Sequence, residues 1–240
     1  MCYHRSKDGL RMIITIDGPS ASGKSSLARA LAQRYNLHHL ATGLLYRAVG
    51  FVLSRAWKNE NVEPRWQALT DDDYSMIKNI QYRVNGNKAN ILYKSEDISL
   101  FLAEEKIADF ASQVSEDPKI RQLLLSVQRD VAKKQDVVAD GRDCGSILFP
   151  DANIKLYITA SIQARARRMF DDLDRWKDQS KNYDQIIVDL QERDERDMNR
   201  AVAPLVIPEG ALVVDTTKII KQQVFEHLFE YVDQHISQKK

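Results

Sequence analysis

The run Gly18-Pro19-Ser20-Ala21-Ser22-Gly23-Lys24-Ser25 follows the apolar stretch Met12 to Asp17 and fits the pattern G-x-x-x-x-G-K-[S/T] at every fixed position. Glycines at both ends let the backbone curl into a nest whose N–H groups point inward. The helix that follows adds its positive N-terminal end. The chemistry implied is the cradling of a polyphosphate, so a nucleoside triphosphate is expected along Gly18 to Ser25 and the neighbouring Ser26. Lys24 reaches the terminal phosphates, and the hydroxyl of Ser25 or Ser26 holds a Mg²⁺ that bridges them. Two carboxylates stand nearby in the pattern: Asp140 ends an apolar run in the manner of a Walker B aspartate, and Asp17 directly precedes the loop. Each either steers the metal, directly or through water, or fixes loop backbone and arginine orientation.

Such a loop needs a strand before it and a helix after it. Ser26 to Tyr35 supplies the helix, with Leu27, Ala28, Leu31 and Ala32 in one apolar stripe. Short apolar runs recur at Met12–Asp17, Leu37–Leu40, Val137–Asp140, Ile154–Ala160 and Leu212–Asp215, separated by helical patterns. Runs that do not alternate with polar residues suit strands buried on both faces, so the expected class is α/β, with a parallel sheet of about five strands covered by helices on both sides. Ligands gather at the carboxyl ends of such strands, where Gly18, Thr42 and Asp140-Gly141-Arg142-Asp143 fall.

Two segments differ in character. Residues 59–113 are too long for a simple crossover and read as an inserted subdomain, within which Asn85-Gly86-Asn87 between two β-prone runs signals a hairpin. Helical spacing returns over Leu100 to Val114. Residues 161–200, rich in Arg, Asp and Gln, read as a charged helical hairpin over the site. The core is then left to residues 12–58, 114–160 and 201–240, with residues 1–11 as a polar leader that lacks the apolar centre of a secretion signal.

Bulk properties narrow the class. The chain has 240 residues, 43% of them apolar, and a net charge of +1. Near neutrality argues against a general nucleic-acid binder. The two cysteines, Cys2 and Cys144, have neither disulfide nor zinc spacing, so a reducing, cytoplasmic setting is expected. No stretch approaches the ~18 apolar residues of a membrane span.

The loop, Thr42-Gly43-Leu44-Leu45-Tyr46-Arg47, Ala111-Ser112-Gln113-Val114, Asp140-Gly141-Arg142-Asp143 and the stretch Glu192 to Leu205, taken together and in this order, resemble bacterial cytidylate kinases, members of the P-loop nucleoside monophosphate kinases. The resemblance covers nearly the whole chain, and the family's acceptor-side insertion matches residues 59–113 in place and size. It implies transfer of the γ-phosphoryl group of ATP to CMP or dCMP by a monomer that uses Mg²⁺. Arg47, Arg142 and Arg200 are implied to grip the acceptor phosphate, a task for which a planar guanidinium fork is well suited. Ser112, Arg121 and Asp143 would meet the cytosine edge, with Asp143 accepting from the exocyclic amino group. Arg193 and Asp197 would hold the ribose beside Tyr46, while Thr42 completes the acceptor side. Arg165 and Arg168 would belong to a lid that closes over ATP and excludes water; the competing reading makes these arginines a solvated face paired with Asp171, Asp172 and Asp174.

Other signals carry less. Asn87-Lys88-Ala89-Asn90 lacks the aspartate of a guanine-reading motif and reads as turn chemistry. His38-His39 has no third ligand at metal spacing and reads as packing or surface histidine, and Trp57, Trp66 and Trp176 read as packing residues. The alternatives to the resemblance are a kinase of the same scaffold acting on UMP, AMP or a non-nucleotide, and a noncatalytic nucleotide- or RNA-binding module.

Overall fold

The computed structural model describes residues 11–85, 88–172 and 182–237. Residues 1–10, which include Cys2, and Gly86, Asn87, Asp174 and Trp176 lie outside the described residues. The chain runs β1 (Ile13–Asp17), α1 (Lys24–Tyr35), β2 (His38–Ala41), α2 (Thr42–Asn59), α3 (Asp71–Ile77), β3 (Ile80–Asn85), β4 (Lys88–Tyr93), β5 (Glu96–Asp97), α4 (Glu105–Val114), α5 (Pro118–Lys134), β6 (Val137–Gly141), β7 (Ile154–Thr159), α6 (Ile162–Asp171), α7 (Tyr183–Asn199), β8 (Leu212–Asp215) and α8 (Lys221–Ser237).

Five strands form a parallel sheet in the order β2-β6-β1-β7-β8, which places β1 at the centre and the loop after it at the sheet's carboxyl edge. The five apolar runs thus become the five strands. Not all of them are buried on both faces, however. β1 and β6 are almost wholly covered, whereas β7 and the edge strands β2 and β8 alternate between better and less covered positions. On β7, Ile154, Leu156 and Ile158 pack into a core with Leu27, Leu31, Val224 and Leu228, and the opposite face, bearing Lys155, Tyr157 and Thr159, is half covered.

Between α2 and α4, β3, β4 and β5 make a separate antiparallel sheet. Asn85 pairs with Lys88 at the end of the β3–β4 ladder. The helical spacing noted from Leu100 onward is interrupted: Ser99–Ala103 is a 3₁₀ turn and Glu104 adopts extended backbone before α4 starts. Sequence periodicity could not locate that break, because Leu100 and Phe101 continue the apolar rhythm while standing exposed. Helix α1 likewise starts at Lys24, two residues before the expected position, with Gly23 as its left-handed N-cap at φ 99°.

Helices α2 and α4 approach at backbone distance. A Cβ built on Gly50 would lie 2.7 Å from Phe110 Cβ and 3.2 Å from the Ala111 nitrogen, so only glycine fits at this crossing.

Between α2 and α3 lies a polar node that the sequence did not single out. Asp73 is fully buried, accepts from Trp57 Nε1 (2.8 Å) and from Arg65 Nε (3.1 Å), and forms a capping box with Thr70 at the start of α3. Asp73→Ala removes the cap and strands the Trp57 N–H and the Arg65 charge. We expect a loss of about 3 kcal/mol in urea denaturation; a loss below about 1 kcal/mol would mean the node is dispensable.

Candidate active site

The phosphate-type loop is shaped by its glycines. Gly18 has φ +144°, and a Cβ there would sit 2.0 Å from the Ile158 carbonyl oxygen, so the loop can pass over β7 only with glycine at that position. Ala21 takes a left-handed φ of 57° at the loop's crest and packs against the α6–α7 pair. Lys24 is buried; its ammonium donates to the Pro19 carbonyl and to Ser22 Oγ at 3.3 Å. Burial, reinforced by the nearby Arg142, pushes its pKa well below the usual lysine range.

The two serines after Lys24 point to different partners. Ser25 Oγ donates to Asp140 Oδ2 at 2.6 Å, whereas Ser26 Oγ accepts from Arg29 on the helix surface. Asp140 is buried, which raises a carboxyl pKa, yet His39 and Ser25 hold it below its ordinary value. An ionised carboxylate only accepts, so His39 Nε2, 2.6 Å from Oδ1, carries the proton of that contact. Asp17 is committed elsewhere: its two oxygens accept from the Cys144 and Gly145 amides, each at 2.7 Å, and so tie the segment after β6 to the end of β1.

Burial lifts the Asp17 pKa from 3.8 to about 6, against the pull of those two amides. A carboxyl whose folded pKa exceeds its unfolded value favours the protonated fold, so its stabilisation is complete below about pH 4 and lost as pH rises through about 6. Relative to Asp17→Asn, wild-type stability should therefore fall between these values by on the order of 1 kcal/mol per pH unit in urea titrations. Parallel curves for the two proteins would sink the assignment.

Beside the loop, arginines and carboxylates alternate. Arg142 donates through Nε to Asp197 (2.6 Å) and through Nη2 to Ser20 Oγ (2.6 Å), linking α7 to the loop. Arg200 lies 3.9 Å from Asp197 and 3.5 Å from Asp143, and Asp143 also accepts from Arg121. The Arg121 guanidinium stands over the Tyr46 ring at 5.5 Å, and burial pushes the Tyr46 hydroxyl pKa up. Burial alone would raise the Asp197 pKa, but Arg142, Arg193 and Arg200 together bring it below the ordinary value. In this cluster Ser112 Oγ, Arg193 Nε and Arg200 Nη2 are buried without a hydrogen-bond partner among the described residues. Buried donors are rarely left so, and each unmet one costs about 1–3 kcal/mol.

The arginines at the start of the charged segment divide. Arg165 is buried, pairs with Asp194 at 2.6 Å, and donates to the Ser20 and Ala160 carbonyls. Arg168 donates to Thr216 Oγ1 (3.0 Å) and to the Thr216 carbonyl (2.6 Å). Only Arg167 follows the solvated pattern, in an exposed pair with Asp171. Thr42 uses its hydroxyl on the Asp140 carbonyl (2.8 Å), and Arg47 turns its guanidinium to the Leu102 and Glu104 carbonyls.

The fold therefore gathers Ser20, Lys24, Arg142, Arg165 and Asp197 around the loop, and Tyr46, Ser112, Arg121, Asp143, Arg193 and Arg200 beside it, while Arg47 is engaged with the turn before α4. Four contributors escaped the sequence reading. They are His39, Asp194, Thr216 and Ser115, whose carbonyl and hydroxyl accept from Arg121 and Arg200. Asp194 had a signal, lying one helical step from Asp197 in an Arg/Asp-rich helix; the other three offered none beyond their types.

A family model described as cytidylate kinase matches residues 14–234. The chain belongs to the cytidylate kinase family. It is 37% identical over 226 residues to the cytidylate kinase of Bdellovibrio bacteriovorus, an alignment covering 94% of this chain and 99% of that one. The cytidylate kinases of Aeromonas salmonicida and Pasteurella multocida are each 34% identical over 229 residues, with 93% and 95% of this chain covered and 95% and 98% of theirs. The chain is thus a kinase with a nucleotide-binding loop. Among the described residues no helix is long and apolar enough to cross a membrane.

Proposed function

We propose that this kinase transfers the γ-phosphoryl group of ATP to CMP or dCMP, giving ADP and the diphosphate, as a cytoplasmic monomer that uses Mg²⁺. The observation that carries the acceptor side is the pair of buried donors without a hydrogen bond among the described residues, Ser112 Oγ and Arg193 Nε, in the same cluster as Asp143 with its ion pairs to Arg121 and Arg200. Two guanidinium groups on Asp143, with Ser112 and Arg193 in the same cluster, complement a phosphorylated aminopyrimidine nucleotide: Asp143 accepts from the amino group, Arg121 and Ser112 serve the rest of the base edge, and Arg193 with Asp197 takes the ribose. Arg47, Arg142 and Arg200 grip the acceptor phosphate. Phosphoryl transfer needs in-line placement and neutralised oxygens more than covalent help, and Lys24, Arg142 and Arg165, which bond the loop, with Arg168 on Thr216, are the cations to supply that.

The donor set near the loop suits a hard cation. Ser25 Oγ donates its proton to Asp140 Oδ2 at 2.6 Å and so offers its oxygen as a ligand, with Asp140 within reach of the ion's water. That fits Mg²⁺, which takes few protein ligands and keeps phosphate oxygens and water. When bound, the ion neutralises and orients the triphosphate. On this reading residues 59–113 form the acceptor-binding insertion, residues 161–200 are the lid, and the remaining residues from 12 onward are the core. A coupled assay with CMP, dCMP, UMP and AMP tests the reading: CMP or dCMP should be preferred by at least about 100-fold. A preference for UMP or AMP would end it, and ATP binding without any diphosphate product would mark a noncatalytic module.

A further inference from the structure

The histidine that reads in sequence as packing occupies a defined place in the site. Asp140 has both carboxylate oxygens fixed by donors from different elements: Oδ1 by His39 Nε2 and Oδ2 by Ser25 Oγ, each at 2.6 Å. Its backbone carbonyl is also taken, by Thr42. Asp140 and the His39 side chain are largely buried, at 6% and 12% side-chain exposure, so water competes little for either bond. The strand that carries His39 is braced from outside: Tyr82 of β3 bonds His38 Nε2 at 2.8 Å and lies 3.4 Å from the His39 carbonyl.

This arrangement restricts what the carboxylate can do. With Oδ1 held by the imidazole, rotation about the Asp140 Cβ–Cγ bond would break two short hydrogen bonds, so Oδ2 stays directed at Ser25. Because the Ser25 proton points to Oδ2, the lone pairs of its oxygen point elsewhere. We propose that His39 is a positioning residue: by occupying Oδ1 of Asp140 it aims the Ser25 hydroxyl oxygen at the Mg²⁺ that accompanies ATP. The inference rests on the metal reading given above and adds to it a residue two hydrogen bonds removed from the ion's ligand, in the way outer partners fix the orientation of metal ligands.

Calorimetric titration with a non-hydrolysable imido analogue of ATP, in Mg²⁺ and separately in EDTA, tests the proposal on the whole chain. In His39→Leu the gain in affinity from Mg²⁺ should shrink by about tenfold or more, with the affinity in EDTA unchanged. His39→Gln, whose amide nitrogen can stand near the imidazole Nε2, should restore most of that gain. Because His39 acts through Ser25, His39→Leu should change nothing further in a Ser25→Ala background. A merely structural histidine would lower affinity equally with and without the metal, and that result overturns the proposal, as does a full Mg²⁺ gain in His39→Leu. If His39→Leu fails to fold, failure of the foldable His39→Gln to differ from wild type while Asp140→Asn abolishes the gain supports it, and equal loss in His39→Gln and Asp140→Asn overturns it. Wild-type protein that binds the analogue no better with Mg²⁺ than without would remove the metal reading itself; wild-type dependence with an indifferent His39→Leu removes this proposal alone.

Discussion

Lys24→Ala is expected to lower turnover about a thousandfold in a coupled assay of ADP release while leaving the protein folded. The size follows from what the ammonium does. A fixed charge placed where negative charge shifts during transfer acts in a site screened from water, where its interaction is far stronger than at a surface. The same burial explains why folding should survive. Lys24 is 5% exposed and its pKa lies well below the usual lysine range, so the native state holds that charge at a cost which alanine removes. Thermal stability should accordingly be unchanged or slightly higher, the pattern of a residue kept for activity rather than for the fold. Turnover within about tenfold of wild type would remove Lys24 from the transfer step.

The second large effect concerns choice of base. Asp143→Asn should reduce the preference for CMP over UMP by about two orders of magnitude in kcat/KM. An ionised carboxylate only accepts hydrogen bonds and therefore matches an amino group and rejects a carbonyl. An amide offers both. Because Asp143 also neutralises Arg121 and Arg200, the variant should lose stability as well, by about 2 kcal/mol in urea. Comparing substrates within the one variant separates the two consequences, since a general loosening would lower both reactions alike. An unchanged CMP to UMP ratio would exclude Asp143 from base recognition.

How much of this was legible before any coordinates depends on which physical signal each part leaves. The five core strands and their order of use were readable because a buried strand must be apolar along its length, and the loop because the glycine and lysine positions follow from backbone geometry. β7 showed where that reading is too simple: Ile-Lys-Leu-Tyr-Ile-Thr alternates, and its half-covered face, bearing Lys155, Tyr157 and Thr159, is the one turned away from the α8 core, so the alternation in the sequence was there to be read. Helix α3 went unread because Asp71-Asp72-Asp73 looks like solvated charge, and only the fold reveals that the third aspartate is buried under Trp57. His39 was hidden for the opposite reason. An imidazole in a short apolar strand is usually packing, and the carboxylate it meets is 101 residues away.

Placement of the arginines was mixed. Their number and clustering pointed to anionic ligands, but which of them would face the loop and which would face solvent depended on helix phase after Ser161, and this divided Arg165 and Arg168 from Arg167. Arg47 rests its guanidinium on the carbonyls of a turn whose existence the sequence did not reveal.

The crossing at Gly50 has an implication for how such a protein can change its diet. Since no methyl group fits between α2 and α4, the helix bearing Tyr46 and the helix bearing Ser112 behave as the jaws of a caliper locked at one setting. On the acceptor reading proposed above, acceptance of a smaller nucleobase cannot come from closing the jaws further. It must come from exchanging side chains along their inner edges, which makes those few positions the ones to vary in any attempt to redirect the enzyme.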